Sequence, residues 1–412
     1  MSRPRTVALV VRPGADPMPS LVERWARGQA VLLVPSSATE ARAASMLAAA
    51  GIDAAEVGDC DGAAGAPHGP RGLRAGSLPP EAGVLIATSG TTGTPRLVEL
   101  GVDALVAGAT LGAAAVPFGP GDTWHASLAP HHVGGLMLHV RAAVLGGAVR
   151  HAELPRTWAD LDGCSHASLV AAQLARLLDG PGTPPATLSA VMLGGGPIPA
   201  ALRSRAIAAG VPLFTSYGMT ETASQAATGR AAADDPATRA GPAIAGVRIA
   251  VADAGADGTG ELTVDGPTLA RAVLVDGARV PLARPHRTRD RGFVDPRGDV
   301  HVIGRLDAMI ISGGRKIQPE AVERALGEVA GVRTACVVAV PDARWGQRPV
   351  AFVDRDTAHA GSMRGALGRA LEPHEVPDAF LRMPDDEAAL PKPSRARLAA
   401  RLAAGERFEE LS

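Results

Sequence analysis

The segment Thr88–Arg96, TSGTTGTPR, gathers glycines and hydroxyl side chains directly after the apolar run VLIAT. Gly90 and Gly93 let the backbone approach a phosphate closely. Thr88, Ser89, Thr91 and Thr92, with the loop's N–H groups, can donate to its oxygens. The GxxxxGK(S/T) spacing of the NTPase P-loop is missing, so this is a different cradle. A second segment, Ser216–Thr222, reads SYGMTET and holds the single tyrosine of the chain, Tyr217. An aromatic ring beside a tight turn at Gly218 can stack on a purine, and Glu221 offers oxygen to a hard cation such as Mg²⁺. Asp290, in TRDRG, can take two ribose hydroxyls. Arg305 can reach ribose or phosphate. Taken singly, each segment is also compatible with an ordinary turn and a surface side chain.

Lysine is the other chemical signal. The chain has 41 Lys plus Arg, and only Lys316 and Lys392 are lysines, which leaves 41 − 2 = 39 arginines. A compact ammonium at position 392, in ALPKPSRARL, stands out in a chain that otherwise writes positive charge as guanidinium.

The elements that must position these residues follow from hydrophobic pattern. From about residue 84 to 216, short aliphatic runs alternate with helical stretches: VLIAT, the helix Val102–Ala115, TWHASLA, the helical GGLMLHVRAAVLGG, HASLVA, QLARLLDG, LSAVML, a helix near Pro199–Ala209, and VPLFTSYG. Such alternation predicts a sheet with helices on its faces. Residues 54–83 and 226–246 read as loops rich in Gly, Ala or Pro. After Gly246 come short strands, with a hairpin turn at Asp295-Pro-Arg-Gly298. Beyond Asp307 the pattern becomes helix, two strands, helix, strand and closing helix. The fold class expected is α/β: a large N-terminal domain of mixed α/β layers plus a β-rich part over 1–306, then a smaller, mobile α+β C-terminal domain over 307–412. Asp307 stands where a hinge would be placed.

At 412 residues the chain exceeds the usual span of one hydrophobic core. A net charge of −1 gives no global field toward nucleic acid or an anionic membrane, and 3% aromatics is too few for a single-strand stacking platform. The cysteines, Cys60, Cys164 and Cys336, suit neither a zinc site nor a disulfide framework. The apolar run near the N-terminus is too short for a signal peptide, and no run reaches a membrane span. A soluble cytoplasmic protein is expected.

In their order along the chain these segments resemble the adenylate-forming superfamily: acyl-CoA synthetases, adenylation domains of peptide synthetases and luciferases. Its members read roughly (S/T)SG(S/T)TGxPK, YGxTE, TGD, GRxDxxIxxxGxxIxPxEVE and a C-terminal GKxxR. The corresponding residues here are Ser89–Arg96, Tyr217–Glu221, Thr288–Asp290, Gly304–Glu323 and Pro391–Arg395. The resemblance implies an ATP- and Mg²⁺-dependent enzyme that adenylates a carboxylic acid. Thr91 and Lys392 would act on the reacting phosphate, Glu221 would hold Mg²⁺, and Ser216, Tyr217, Gly218, Thr220, Asp290 and Arg305 would frame the nucleotide. Gly194, Gly195 and Gly196 would let adenine lie against the backbone. The small domain would then turn about Asp307 and present Gly313 and Gly314 to an incoming CoA thiol. Lys316 would either touch a CoA phosphate or serve as a surface charge. Aligning Lys392-Pro-Ser-Arg395-x-x-Leu398 with KxxRxxL makes Lys392 the catalytic lysine; the other register places Arg397 there. This chain departs from the pattern at Arg96, Arg289 and Pro391, and the part before the phosphate loop is shorter than in most members.

Within the superfamily, TRDRG, SGGRKIQPEAVER, GCSHASLVAAQLARLL and LGGGPIPAAL resemble the o-succinylbenzoate–CoA ligases of menaquinone synthesis. That resemblance implies that Arg176, Ser168, Gln173 and His132 line the acid's pocket; Arg176 is also readable as a surface arginine. His131 and His132 are expected to diverge, which argues against a metal pair. Expected partners are the acid, ATP and CoA, without nucleic acid; a homodimer stays open. The alternatives are another acid or a non-CoA acceptor, or an inactive nucleotide-binding homologue.

Overall fold

The computed structural model describes residues 5–12, 14–52, 57–59, 72–88, 96–196, 198–275, 277–355, 359–388, 390 and 393–412. Among the described residues the strands form four sheets. The first runs, in spatial order, Ala278–Pro281, Ala272–Val275, Arg96–Gly101, Gly83–Thr88, Ala30–Pro35, Thr6–Val11 and Val57–Asp59. The apolar N-terminal run is thus a strand, parallel to Ala30–Pro35. Trp25, on the helix Met18–Ala26, is fully buried and donates from Nε1 to the Gly83 carbonyl at 2.8 Å. It packs this helix against the strand that leads to the phosphate loop. Trp25→Ala should destabilise the protein by about 3–5 kcal/mol, the usual loss for a large aromatic in a closed core. Urea unfolding monitored by circular dichroism measures it.

The second sheet runs Ala227–Arg230, Leu213–Tyr217, Ala190–Leu193, His166–Leu169, Thr123–Ala126, Ala148–His151. All its pairings are parallel except that of Ala227–Arg230. Helices Val133–Leu145, Ala171–Asp179 and Ala200–Ala208 are its crossovers, as strand–helix alternation requires. Loops at the carboxyl ends of such strands are where ligands bind in α/β sheets. The third sheet is antiparallel: Arg239–Pro242, Asp299–Arg305, His286–Val294, Gly260–Asp265, Arg248–Ala252. The fourth begins at Ile310 and holds Arg315–Ile317, Ile310–Ser312, Gly346–Arg355, Val332–Asp342 and Ala379–Arg382, packed by helices Pro319–Gly327 and Ala360–Ala370 over their own apolar core.

Residues 226–246 are not a loop. They supply Ala227–Arg230 to the second sheet and Arg239–Pro242 to the third. Both strands are four residues long and carry Gly and Arg, with Thr228 their one β-branched residue, so the local strand signal is weak. Their pairing with Leu213–Tyr217 and Asp299–Arg305 makes them strands.

Candidate functional site

The strands that flank the candidate phosphate loop pair with each other. Strands Gly83–Thr88 and Arg96–Gly101 pair antiparallel, Thr88 stands opposite Arg96, and Thr88 Oγ1 donates to the Arg96 carbonyl at 3.1 Å. Ser89, Gly90, Thr91, Thr92 and Gly93 lie outside the described residues, as does Lys392. At the start of the second strand Arg96 Nη2 lies 3.4 Å from Glu221 Oε1. Glu221 sits in the short 3₁₀ turn Thr220–Thr222, nearly buried, and its carbonyl accepts the Ala270 N–H. Thr220 lies in the same turn. Among the described residues no group of three His, Cys, Asp or Glu could hold a metal. The fit is instead to Mg²⁺, which binds through one or two carboxylates plus substrate phosphates. Glu221 would supply the carboxylate once Arg96 turned toward phosphate.

Strand Leu213–Tyr217 carries the next group. Gly218 follows it, and a Cβ there would lie 1.6 Å from the Ser224 carbonyl oxygen, so only glycine fits. Ser216 Oγ accepts a hydrogen bond from Thr228. Tyr217 donates from its hydroxyl to Asp290 Oδ2 at 2.7 Å. Burial and the neighbouring carboxylate hold that phenol well above its ordinary pKa. Asp290 is 7% exposed; burial raises its carboxyl pKa against the lowering pull of Tyr217 and Arg305. Arg305 donates to Asp290 Oδ1 at 3.2 Å and forks onto Asp307 at 3.0 and 2.6 Å. That fork fixes the guanidinium at the entry to the small domain and draws the Asp307 carboxyl below its usual range. Arg289 has φ +65°, the left-handed region where glycine is at ease, which gives the physical reason for Gly in the TGD pattern. Its N–H is held by Glu261 Oε1 at 2.9 Å.

These side chains open on a cavity of about 270 Å³. Gly195, Gly196, Ser216, Tyr217, Gly218, Asp290 and Arg305 all line it. So do residues that sequence reasoning missed: Thr238, Arg239, Ala240, Ile303, Glu320 and Arg324. Arg239 is pinned by Asp299 at 2.7 and 3.1 Å and by Asp235 at 2.9 Å. Only the pairing of residues 239–242 in the third sheet brings it there. Glu320 and Arg324 come from the small domain, and Arg324 donates to the Ile303 carbonyl at 2.7 Å.

A second cavity, about 120 Å³, shares the Gly195–Gly196 wall and adds Gly194, Val170, Ala172, Glu323, Cys336, Pro393 and Arg395. Arg395 bridges Glu320 at 3.0 Å and Glu323 at 2.7 Å. Arg397 instead pairs with the fully buried Glu387 at 2.7 Å. The residue beside Lys392, Pro393, therefore faces the cavity wall, while Arg397 is tied elsewhere.

The remaining expected residues scatter. Gly313 and Gly314, both with positive φ, form the turn between strands Ile310–Ser312 and Arg315–Ile317. Trp345 packs where a Gly313 Cβ would stand, and Lys316 is exposed; none of the three lines either cavity. Ser168 is buried, accepting the Trp124 Nε1–H at 3.1 Å. Gln173 is buried; its Oε1 accepts the Val170 N–H, and its Nε2 has no partner among the described residues. Arg176 is exposed, one turn beyond Ala172 on the helix Ala171–Asp179. His132 lies at the start of the helix Val133–Leu145, and its ring lies 4.4 Å from that of His131. The two rings do not diverge as expected, because they sit in a turn and helix cap where the alternation of a strand does not apply.

A cavity at the carboxyl ends of a parallel sheet, closed by a small α+β domain, fits a two-domain adenylate-forming fold. The sequence pattern described as AMP-binding enzyme matches residues 15–274, and that of the AMP-binding enzyme C-terminal domain matches 321–395. The chain belongs to the AMP-binding enzymes. It is 35% identical over 292 residues to a 2-succinylbenzoate–CoA ligase of Bacillus cytotoxicus, covering 66% of this chain and 60% of that one. It is 34% identical over 304 residues to the Salmonella typhimurium protein of the same name, covering 73% and 64%. The chain thus spans less than two thirds of the length of these curated relatives. A solved E. coli MenE with bound OSB-AMS superposes with TM-score 0.80 and 26% identity over 97% of this chain and 88% of the other. The Bacillus subtilis o-succinylbenzoate CoA synthetase, in complex with the acyl-adenylate intermediate OSB-AMP, gives 0.79 at 23% identity over 99% and 89%, a likeness of fold.

Proposed function

We propose that this chain is an AMP-forming acid–CoA ligase acting on o-succinylbenzoate in the cytoplasm. The observation that supports it most is the shared glycine wall. Gly195 and Gly196 separate a cavity holding Tyr217, Asp290 and Arg305 from a second one that reaches Pro393, next to Lys392. A nucleotide on one side and a carboxylic acid on the other would meet at that wall. The names of the relatives supply the acid.

In the first half-reaction a carboxylate oxygen of the acid attacks the α-phosphorus of ATP, and pyrophosphate leaves. Ser89, Thr91 and Thr92 hold phosphate oxygens, Arg96 turns from Glu221 to join them, and Lys392 stabilises the charge that develops at the α-phosphate. Glu221 would hold Mg²⁺, which screens the phosphate charge when bound. Asp290 takes the ribose hydroxyls beside Tyr217. In the second half-reaction the CoA sulfur attacks the acyl carbon, the thiol proton is lost, and AMP leaves. Asp307 is the hinge for the rotation between the two, bringing Gly313 and Gly314 to the site with Lys316 nearby.

o-Succinylbenzoate carries two carboxylates, and the one not activated needs donors. The unpartnered Gln173 Nε2 and the Arg176 guanidinium are the donors proposed, with Ser168 and His132 as walls. Arg176→Ala should raise KM for o-succinylbenzoate about tenfold, the loss of one charge-assisted hydrogen bond, with KM for ATP unchanged. A change confined to ATP kinetics would remove Arg176 from the acid's pocket.

The test of the function is mass spectrometry of reactions holding the protein, MgATP, CoA and one acid: o-succinylbenzoate, benzoate or a medium-chain fatty acid. Thioester and AMP only with o-succinylbenzoate support the reading. Acyl adenylate without thioester points to another acceptor. No product from any acid overturns the activity.

A further inference from the structure

The helix Ala200–Ala208 begins after the glycine wall and has no cap of its own. Its N-cap residue is Pro199, whose side chain accepts nothing, and its first turn carries no acidic residue. The N–H groups that such a helix leaves open are instead bonded from the other domain. Glu328 Oε1 accepts the Ala200 N–H at 2.5 Å, and Oε2 accepts the Ala201 N–H at 2.9 Å. Glu328 directly follows the small-domain helix Pro319–Gly327. The contact is close beyond the carboxylate: a Cβ on Gly327 would lie 3.3 Å from Pro199 Cβ.

A carboxylate on two N-terminal N–H groups satisfies orphan donors and meets the positive end of the helix dipole. Here it joins two domains. The bond exists only while the small domain holds the orientation that places Pro393 at the second cavity. If the small domain turns, both N–H groups revert to water. The helix contains no Asp or Glu that could replace the lost cap.

We propose that Glu328 is a positioning residue that latches the small domain in the adenylate-forming orientation, and that its release precedes thioester formation. This rests on the two-step ligase reading above. The latch does not touch substrate. It sets the fraction of molecules in one orientation, and loss of such a cap shifts an equilibrium by about 2- to 30-fold.

A disulfide reports that orientation without any substrate. Pro199→Cys with Gly327→Cys places two Cβ atoms close to bonding separation. Cys164 and Cys336 are buried, and Cys60→Ser in the background removes the third native thiol. With oxidised glutathione the pair should close, and adding Glu328→Ala should slow closure about 2- to 30-fold. Glu328→Gln, which keeps one acceptor oxygen and loses the charge, should fall between. The closed protein should release pyrophosphate from MgATP and o-succinylbenzoate yet form no thioester with CoA. Reduction with a phosphine should restore thioester formation.

Equal closure rates with and without the Glu328→Ala change overturn the latch. Thioester formation at full rate by the closed protein also overturns it, because the contact then need not break. A wild-type protein that adenylates no acid defeats the ligase reading, while the closure rates, which need no acid, still decide on Glu328.

Discussion

Lys392→Ala is expected to slow acyl-adenylate formation about 10²–10³-fold, the usual loss when one preorganised donor to a developing charge is removed. ATP binding and the conversion of supplied acyl adenylate to thioester should persist, because neither passes through the transition state in which the carboxylate attacks the α-phosphate. The residues that follow Lys392 explain how it would be held. Ser394 N–H donates to Glu387 Oε2 at 2.7 Å, Arg395 is clamped by Glu320 and Glu323, and Arg395 Nε reaches the Val337 carbonyl at 2.9 Å. The residues that follow the lysine are thus tied to the small domain. Lys392→Arg is the sharper variant. Arginine is what this chain uses at 39 of its 41 cationic positions, so a surface role would tolerate it, whereas a compact ammonium aimed at one phosphate oxygen would not. Arg397→Ala serves as the control for the alternative register and should leave adenylation near normal, since Arg397 is spent on Glu387. Single-turnover pyrophosphate release measures all three. Undiminished release from Lys392→Ala would falsify its role.

Local pattern made much of the strand–helix alternation of residues 84–216 readable because strands such as Gly83–Thr88 and Ala190–Leu193 are buried aliphatic runs and the helices between them carry an apolar face. The helix Val102–Ala115 runs between the residues expected. The hairpin turn at residues 295–298 was equally readable, since Asp295 Oδ1 accepts the Arg297 and Asp299 N–H groups and Gly298 takes φ +86°. What escaped depends on partners distant in sequence. Strands Ala227–Arg230 and Arg239–Pro242 carry only a weak local signal, so Arg239 and its neighbours were not expected at the cavity. That the strands on either side of residues 89–95 pair antiparallel is a fact of pairing between Thr88 and Arg96. Glu328 reads as a surface glutamate until the start of the helix Ala200–Ala208 is placed against it. Tyr217, Asp290 and Arg305 could be named as candidates because chemistry limits which residues can serve a nucleotide, and the fold places the three within hydrogen-bond reach of one another. Gly313, Gly314 and Lys316 line neither cavity, as residues that serve only a second orientation would.

Asp290→Asn is expected to weaken ATP and AMP binding about 10- to 100-fold, the loss of a charge-assisted hydrogen bond in a closed site. Asparagine keeps the shape and one acceptor oxygen, so Tyr217 can still donate to it. It cannot give Arg305 a charge partner, and it turns one acceptor into a donor facing the guanidinium or the ribose hydroxyls. The same change should not destabilise the fold. Burial raises the Asp290 carboxyl pKa above its unfolded value despite Tyr217 and Arg305, so the ionised form is the disfavoured one in the folded protein. For a carboxyl shifted upward, stability is greatest when it is protonated and declines as pH rises through the unfolded and then the folded pKa. A neutral amide escapes that decline, so above this window Asp290→Asn should match or exceed the wild type in Tm. Affinity lost while Tm is held separates a nucleotide ligand from a structural carboxylate. A structural Asp290 would give the reverse pattern, a lower Tm with nucleotide affinity little changed. Calorimetric titration with AMP, alongside thermal unfolding at pH 5 and pH 8, resolves the two. Tyr217→Phe tests the neighbour. Removing only the hydroxyl leaves Asp290 with Arg305 as its one side-chain donor among the described residues, and the carboxylate should then swing more freely. Its cost in affinity should be smaller than that of Asp290→Asn, since the carboxylate proposed to take the ribose remains charged.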